Sequence, residues 1–153
     1  MKLSFSTRGW PDFSWEEMME TAVSMNFSGI EVYNLQKDSR LTDDSGPFHP
    51  YHGAATVRKL REENLAIPCL DSSCDLTEEK SCLEDVQFLL KAAHNAKIPY
   101  VVVCALSDRE DLVEEKLRKL VPLAEDLNVA ILLKTSGIYA DTARLRSMLE
   151  SFA

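Results

Sequence analysis

The chain has 153 residues, of which 45% are hydrophobic and 27% are charged, a balance typical of one globular domain spanning residues 1–153. Its formal net charge of −8 at pH 7 repels a phosphate backbone, so nucleic acid is not an expected partner. The sequence has neither an apolar run of the roughly 18 residues that span a membrane nor a basic-then-apolar leader. We therefore expect a cytoplasmic protein without membrane contact.

Five short apolar segments are predicted to be β-strands, and an amphipathic helix follows each of them. The predicted strands cover residues 2–6, 29–33, 65–70, 100–105 and 129–133. Alternation of strands and helices with short connections predicts a parallel sheet. A closed (β/α)₈ barrel uses about 250 residues, or about 31 per cycle. The predicted fold class is therefore α/β, an incomplete TIM-type barrel of about five parallel βα units.

Three helix starts are indicated by polar residues ahead of apolar stripes. Ser14 and Glu17 have capping-box spacing, and Ser107 and Glu110 have the same spacing. Thr77 is expected to cap the helix that follows the third strand, because two acids come directly after it.

Two prolines and one long loop interrupt this regular pattern. Pro68 would remove a hydrogen-bond donor from the third strand, so that strand is expected to be imperfect or bulged. Pro122 is expected to kink the fourth helix or to break it in two. Residues 34–52 show little periodicity, and loops of this length tend to be functional or mobile.

The four cysteines are expected to be reduced thiols, because no export signal accompanies them. Four residues separate Cys69 from Cys74 and seven separate Cys74 from Cys82, which fits no zinc pattern with paired CxxC knuckles. Together with Cys104, they are interpreted as ordinary core or near-surface thiols. A zinc or redox site is the alternative.

Candidate site residues follow from one rule, that ligands of parallel βα folds lie at the carboxyl ends of the strands. The rule selects polar residues at all five strands: Ser6, Thr7, Arg8 and Trp10 after the first, Glu31 in the second, Asp71, Ser72 and Ser73 after the third, Cys104 in the fourth, and Lys134, Thr135 and Ser136 after the fifth. Glu31 is an acid that could abstract a proton, and Lys134 is a cation that could stabilise an enolate or a phosphate. These two are the candidate catalytic residues, and Arg8, Trp10, Asp71 and Ser73 are the candidate substrate-binding residues from this list.

Each candidate also has a simpler structural interpretation. Glu31 and Lys134 could form an ion pair across the barrel interior and do nothing else. His49 and His52 are further candidate substrate contacts, although histidines in a loop are commonly plain surface residues. The turn at residues 71–73 could merely satisfy backbone groups. A weaker idea is Schiff-base chemistry at Lys134, since a desolvated lysine attacks carbonyl groups.

Four segments together carry a resemblance to a known family: MKLSFSTRGWP, GIEVY, PCLDSSC and LLKTSGIYADTARLRSML. In order and spacing they resemble sugar phosphate isomerases and epimerases with the xylose isomerase-like TIM barrel. The resemblance covers the whole chain and the N-terminal five βα units of that barrel. It implies a divalent metal at the top of the barrel, a small sugar or sugar-phosphate ligand, and proton transfer next to a sugar carbonyl.

The sequence departs from the family pattern at the fifth strand. Lys134 stands where the family typically has a metal-binding glutamate, in a segment like LLETHG, and Ser136 stands where a histidine is frequent. A protonated lysine repels a divalent cation and offers it no lone pair. We therefore expect no metal site and no other cofactor. Glu31 matches the family's second-strand acid only loosely.

The resemblance thus predicts a sugar isomerase/epimerase-like protein, with catalysis by this chain alone left open. The chain would then be a fragment or a degenerate relative of such an enzyme. The alternative is a non-catalytic module that binds a small anionic metabolite through Lys134 and Arg8, or that assembles with itself. Because five strands leave two sheet edges, a homodimer is expected.

Overall fold

The computed structural model describes residues 1–79 and 82–152. Its five parallel strands are β1 (Ser4–Ser6), β2 (Gly29–Tyr33), β3 (Leu70–Asp75), β4 (Tyr100–Cys104) and β5 (Ala130–Leu133). Its helices are α1 (Trp15–Ser24), α2 (Ser39–Thr42), α3 (Gly53–Glu62), α4 (Leu83–Ala96), α5 (Glu110–Asp126) and α6 (Thr142–Glu150). The strands pair in chain order, each parallel to its neighbour, which confirms the predicted α/β fold of five parallel units.

The register divides the sheet into two faces. Val32, Leu70, Val101 and Ile131 lie side by side on the face that packs against the helices, and the first three are fully buried. The next row consists of Tyr33, Asp71, Val102 and Leu132, and it lies on the opposite, inner face. Side chains alternate between the faces because the strand period is two. Polar strand-end residues of that inner row therefore line the concave side of an open barrel.

The third strand is displaced from its predicted position. It begins at Leu70 rather than ending there, while Ala66 forms an isolated bridge with Gly29. Pro68 explains the shift, because it lacks the N–H that a continuous ladder would need. The register of β3 against β4 is irregular between Asp71 and Asp75. The predicted imperfection is therefore confirmed, and Asp71 lies inside the strand rather than in a loop.

One predicted helix cap is confirmed and two are wrong. The Ser14 hydroxyl accepts a hydrogen bond from the Glu17 N–H, and the Glu17 carboxylate accepts one from the Ser14 N–H. At α5 the capping residue is Arg109, without any side-chain cap, because a tight turn brings its N–H 2.9 Å from the Ser107 carbonyl. Thr77 caps no helix, since its hydroxyl donates to the Asp75 carboxylate at 2.7 Å.

The helix that contains Pro122 and the loop at residues 34–52 are both more regular than predicted. Helix α5 continues through Pro122 without a break, because Leu117, Leu120 and Ala124 anchor both sides of the proline in the core. Residues 34–52 contain α2 and a short 3₁₀ turn, with Leu41 buried, so the segment is less irregular than its sequence indicates. Its mobility stays a prediction. Among the described residues, no helix has both the length and the apolar character required to cross a membrane.

Candidate functional site at the carboxyl ends of the strands

An ion pair between β3 and the end of β5 is the centre of the site. Lys134 directly follows β5, and its Nζ lies 2.6 Å from Oδ2 of Asp71. The Asp71 side chain is only 6% exposed, whereas that of Lys134 is 34% exposed. Oδ1 of Asp71 accepts a hydrogen bond from the Ser73 N–H at 3.0 Å. Both carboxylate oxygens are therefore satisfied, as burial of a charged group requires.

The expected pairing of Lys134 with Glu31 is corrected by this geometry. Glu31 lies two residues before Tyr33, which is beside Asp71 in the sheet, and Lys134 lies two residues after Leu132 of the same row. The lysine thus extends above that row while the glutamate lies below it, and three strand spacings of about 4.8 Å separate their strands. Asp71 is nearer in both directions, and the lysine binds it.

Glu31 instead accepts a hydrogen bond from the thiol of Cys69, with Sγ 3.6 Å from Oε2. Burial, then the Glu31 charge and hydrogen bond, and then the Asp71 charge raise the pKa of Cys69 to about 12, while Lys134 acts in the opposite direction. Two carboxylates and one ammonium group thus act on the same thiol. Glu31, Asp71 and Lys134 therefore belong to one electrostatic cluster, which we call the strand-end cluster.

A backbone irregularity shapes the wall beside this cluster. Ser73 has a left-handed backbone with φ of 54°, unusual for a residue other than glycine and located where β3 loses register with β4. Its hydroxyl donates to Oδ1 of Asn34 at 3.0 Å, and Nε2 of Gln36 donates to the same oxygen at 2.9 Å. The first residues after β2 are thereby fastened to β3. Such strain, held by its surroundings, is frequent at functional sites.

Arg8 and Trp10 follow β1, but the structure gives them different environments. The guanidinium group of Arg8 lies 5.1 Å from the ring centroid of Tyr33, and both residues line a cavity of about 430 Å³. Trp10 packs edge-to-face against Phe13, with ring centroids 4.8 Å apart. Arg8 is therefore an exposed cation at the rim of the site. Trp10 belongs to an aromatic cluster at its side.

The two loop histidines contact their own loop rather than the strand-end cluster. His49 Nε2 lies 3.6 Å from the Asp44 carboxylate, and His52 Nε2 lies 3.0 Å from the Asp44 carbonyl oxygen. His49 lines a cavity between α3 and α4, and His52 lines another beside Trp15. Their predicted contact with substrate gains no support from this placement.

The described residues do not fit the divalent metal that the resemblance implies. Among them, no three His, Cys, Asp or Glu side chains are grouped so that they could hold an ion. Asp71, which could serve as a ligand, is bound by the ammonium group of Lys134 instead. The ammonium group of Lys134 thus supplies the positive charge beside Asp71 that a metal ion would otherwise supply.

Two residues around the site were not selected from the sequence, and the contact made by a third, Thr7, was not predicted. Tyr33 and Cys69 lie two residues from Glu31 and Asp71, respectively, and the period of a strand could have identified both. Thr7 is buried and its Oγ1 accepts a hydrogen bond from the Tyr33 N–H at 3.0 Å. No local sequence pattern indicates this last contact, because it joins two strand ends that are distant in sequence.

Solved structures resemble the chain over most of its length. A xylose isomerase domain protein from Planctomyces limnophilus has a TM-score of 0.73 at 11% identity, with 98% of this chain and 58% of that chain covered. A xylose isomerase domain containing protein from Salmonella typhimurium LT2 has a TM-score of 0.71 at 18% identity, with coverages of 97% and 56%. The fold is that of part of a xylose isomerase-like TIM barrel.

A third similar structure is that of 3-keto-D-glucoside 4-epimerase from E. coli, with a TM-score of 0.67 at 15% identity, covering 87% of this chain and 55% of that chain. The chain spans a little more than half the length of these three structures, and identities this low demonstrate a shared fold alone. No family model matches the sequence, and a search of curated proteins finds no significant match.

Proposed function

We propose that this chain is a sugar isomerase/epimerase-like protein whose strand-end cluster binds a small sugar or sugar phosphate. The observation that carries the proposal is the Lys134–Asp71 ion pair at the carboxyl ends of parallel strands, which shares one electrostatic cluster with Glu31. Ligands of such folds bind at this end. The likeness to xylose isomerase-like structures and to an epimerase supports the same class of ligand.

The chemistry suited to these groups is proton transfer next to a carbonyl. Glu31 would accept the proton from the carbon beside the sugar carbonyl, and the Lys134 ammonium group would donate a hydrogen bond to the carbonyl oxygen. Negative charge develops on that oxygen as the proton leaves, so a fixed cation lowers the barrier. Asp71 would position the lysine. Arg8, at the rim, would contact a phosphate or another anionic group of the ligand.

The alternative is a module that binds the same ligand without turnover. One observation favours it: Asp71 already holds Lys134, and Cys69 already holds Glu31, so both candidate catalytic groups have partners within the chain. Binding would then use Arg8 and the remaining donors of Lys134. Catalysis would require the ligand to displace the thiol from Glu31.

Exchange of substrate hydrogen with solvent distinguishes the two functions. Ketoses, aldoses and their monophosphates are incubated with the protein in D₂O, and deuterium beside the carbonyl is followed by NMR. We expect incorporation that the Glu31→Gln substitution abolishes and that Glu20→Gln, an exposed acid on α1, leaves unchanged. Binding without incorporation supports the non-catalytic module. Neither binding nor incorporation contradicts both proposals.

We also propose that the chain forms a homodimer. In the described part of the chain, β1 and β5 are the edges of the sheet, and Tyr100 and Leu132 on its inner face are each 41% exposed. Open parallel edges and exposed apolar side chains are commonly covered by a partner. A second copy would cover them. Because two such sheets contain ten strands, we expect partial pairing of edges or capping of the open core rather than a closed eight-stranded barrel.

A further inference from the structure

Two cysteine thiols outside the strand-end cluster lie close to each other. Cys74 lies on β3, and Cys82 is the capping residue at the N-terminus of α4. The two side chains lie near enough for each thiol to shift the pKa of the other. Sγ of Cys82 also lies 3.6 Å from the carbonyl oxygen of Asp75, the residue next to Cys74. The two sulfur atoms are therefore held together by the fold.

A buried lysine supplies positive charge to this pair. Lys116 of α5 is only 5% exposed, and its ammonium group donates to the carbonyl oxygen of Glu78, which is a neutral acceptor. An ammonium group buried beside neutral partners is unfavourable, and an adjacent thiolate would compensate its charge. Cys82 is the thiol that this charge acts on. The position of Cys82 at the N-terminus of a helix favours a thiolate as well.

The surroundings shift the pKa values of the two thiols in opposite directions. The Cys74 thiol and then the charge of Lys116 lower the pKa of Cys82, against burial and the nearby carboxylate of Asp85. The Cys82 thiol and then burial raise the pKa of Cys74. Cys104 of β4 lies beside this pair, because its thiol donates to the Cys74 carbonyl oxygen at 3.3 Å. Cys82 is thus suited to attack an oxidant, and Cys74 to act as the resolving thiol.

We propose that Cys74 and Cys82 form a dithiol that a hydroperoxide oxidises to a disulfide. The Cys82 thiolate attacks the peroxide, breaking the O–O bond and becoming a sulfenic acid while the other oxygen leaves as water after protonation. Cys74 then attacks the Cys82 sulfur, the S–S bond forms, and the sulfenic oxygen leaves as a second water. One hydrogen peroxide and two thiols yield one disulfide and two waters.

The disulfide would fasten the end of β3 to the start of α4. It would close the segment between these cysteines beside Gln36, whose Nε2 lies 4.0 Å from the Cys74 sulfur. Gln36 also holds Asn34, which braces the wall of the strand-end cluster. The oxidised pair is therefore connected through Gln36 and Asn34 to the wall of the proposed ligand site. The inference itself does not depend on what binds there.

Mass spectrometry of the full chain tests the inference. The reduced protein is treated with a small excess of hydrogen peroxide, quenched and digested with trypsin, which cleaves after Lys80 and separates the two cysteines. Cys69 and Cys74 share one tryptic peptide, so fragment spectra assign the linked cysteine. We expect the intact mass to fall by two hydrogen atoms and a linked peptide pair to join Cys74 to Cys82. Cys104→Ser is the matched control, because it removes a buried neighbouring thiol, and it should form the same link.

Three variants test the assigned roles. Cys82→Ser should abolish the link, whereas Cys74→Ser should leave a sulfenic acid on Cys82 that dimedone traps. Lys116→Met should slow alkylation of Cys82 by iodoacetamide near neutral pH by about threefold or more. Circular dichroism checks that each variant is folded. No link in the wild-type protein under conditions that oxidise glutathione, a link to Cys69 or Cys104, or trapping on Cys74 instead of Cys82 would each overturn the inference.

Discussion

Lys134 and Asp71 lie 63 residues apart in the sequence, and the fold brings Nζ of the lysine within 2.6 Å of Oδ2 of the aspartate. The carboxylate is buried and the ammonium group is partly exposed. The buried Asp71 carboxylate therefore needs the positive charge of Lys134, while a ligand can still reach the ammonium group of Lys134. The protein thus holds Lys134 in place and leaves it available for binding.

Lys134→Met should destabilise the protein by about 1–3 kcal/mol, because it leaves the Asp71 carboxylate buried without its cation. The loss should be smaller than for a fully buried pair, because Lys134 is partly exposed. Urea denaturation measures the change in the free energy of unfolding. Adding Asp71→Asn to the variant should recover part of the loss, because the amide carries no charge to bury.

The matched control is Lys119→Met. Lys119 makes an ion pair of the same 2.6 Å length with Glu115, but both side chains are more than half exposed. Exposed pairs of this kind contribute about 0–1 kcal/mol, so this variant should be near wild-type stability. Equal losses in the two variants would contradict the importance of burial at Asp71.

Cys69 should resist alkylation at about pH 8, because its raised pKa keeps it a thiol at that pH. Glu31→Gln removes both the negative charge and the charged hydrogen-bond acceptor that disfavour the thiolate. The pKa of Cys69 should therefore fall, and its alkylation by iodoacetamide should accelerate. Peptide mapping reports each cysteine separately. An unchanged rate at Cys69 would show that Glu31 does not act on this thiol in solution.

The sequence predicts a strand accurately where the apolar segment and the hydrogen-bonded strand cover the same residues. The short segment GIEVY identifies β2 to the residue, and the apolar run at residues 100–105 identifies β4 within one residue. It was least informative at β3, where Pro68 delays the start of the ladder. There the apolar pattern predicts a strand at residues 65–70, whereas β3 spans Leu70–Asp75.

The sequence predicts which residues form the site and near which strand ends they lie, but not which of them contact each other. Lys134, Asp71 and Glu31 are all recognisable as polar groups near strand ends. Which carboxylate the lysine binds depends on the register of four strands, and the sequence does not specify that register. The proximity of Cys74 and Cys82 is hidden for the same reason, since it depends on where β3 ends and where α4 begins.

We predict that the chain binds no divalent metal tightly at the strand-end cluster. Asp71 is held by an ammonium group, and a metal there would have to displace a cation that the chain cannot remove. Calorimetric titration with Mn²⁺, Mg²⁺, Zn²⁺ and Co²⁺ should give no stoichiometric heat. Micromolar binding that disappears in Glu31→Gln or His49→Ala would refute the prediction.

Sedimentation equilibrium at tens of micromolar should give about twice the chain mass of 17.2 kDa. Leu132→Lys, which places a charge on the exposed inner face, should shift the distribution toward monomer. Leu149→Lys on α6 is the control, since it changes an exposed leucine away from that face. A stable monomer would exclude the dimer, and a closed eight-stranded barrel made from two chains would refute the expected geometry.

Calorimetric titration of the protein with sugar monophosphates tests the central claim most directly, that the Lys134–Asp71 pair is the anchor of a carbohydrate site. Wild-type protein and the Lys119→Met control should bind at least one of these ligands with the same affinity. Lys134→Met should weaken that binding by about tenfold or more, the effect of losing one charged hydrogen bond. Equal affinity of Lys134→Met and wild type for every ligand bound, or no binding by the wild type, would contradict the account.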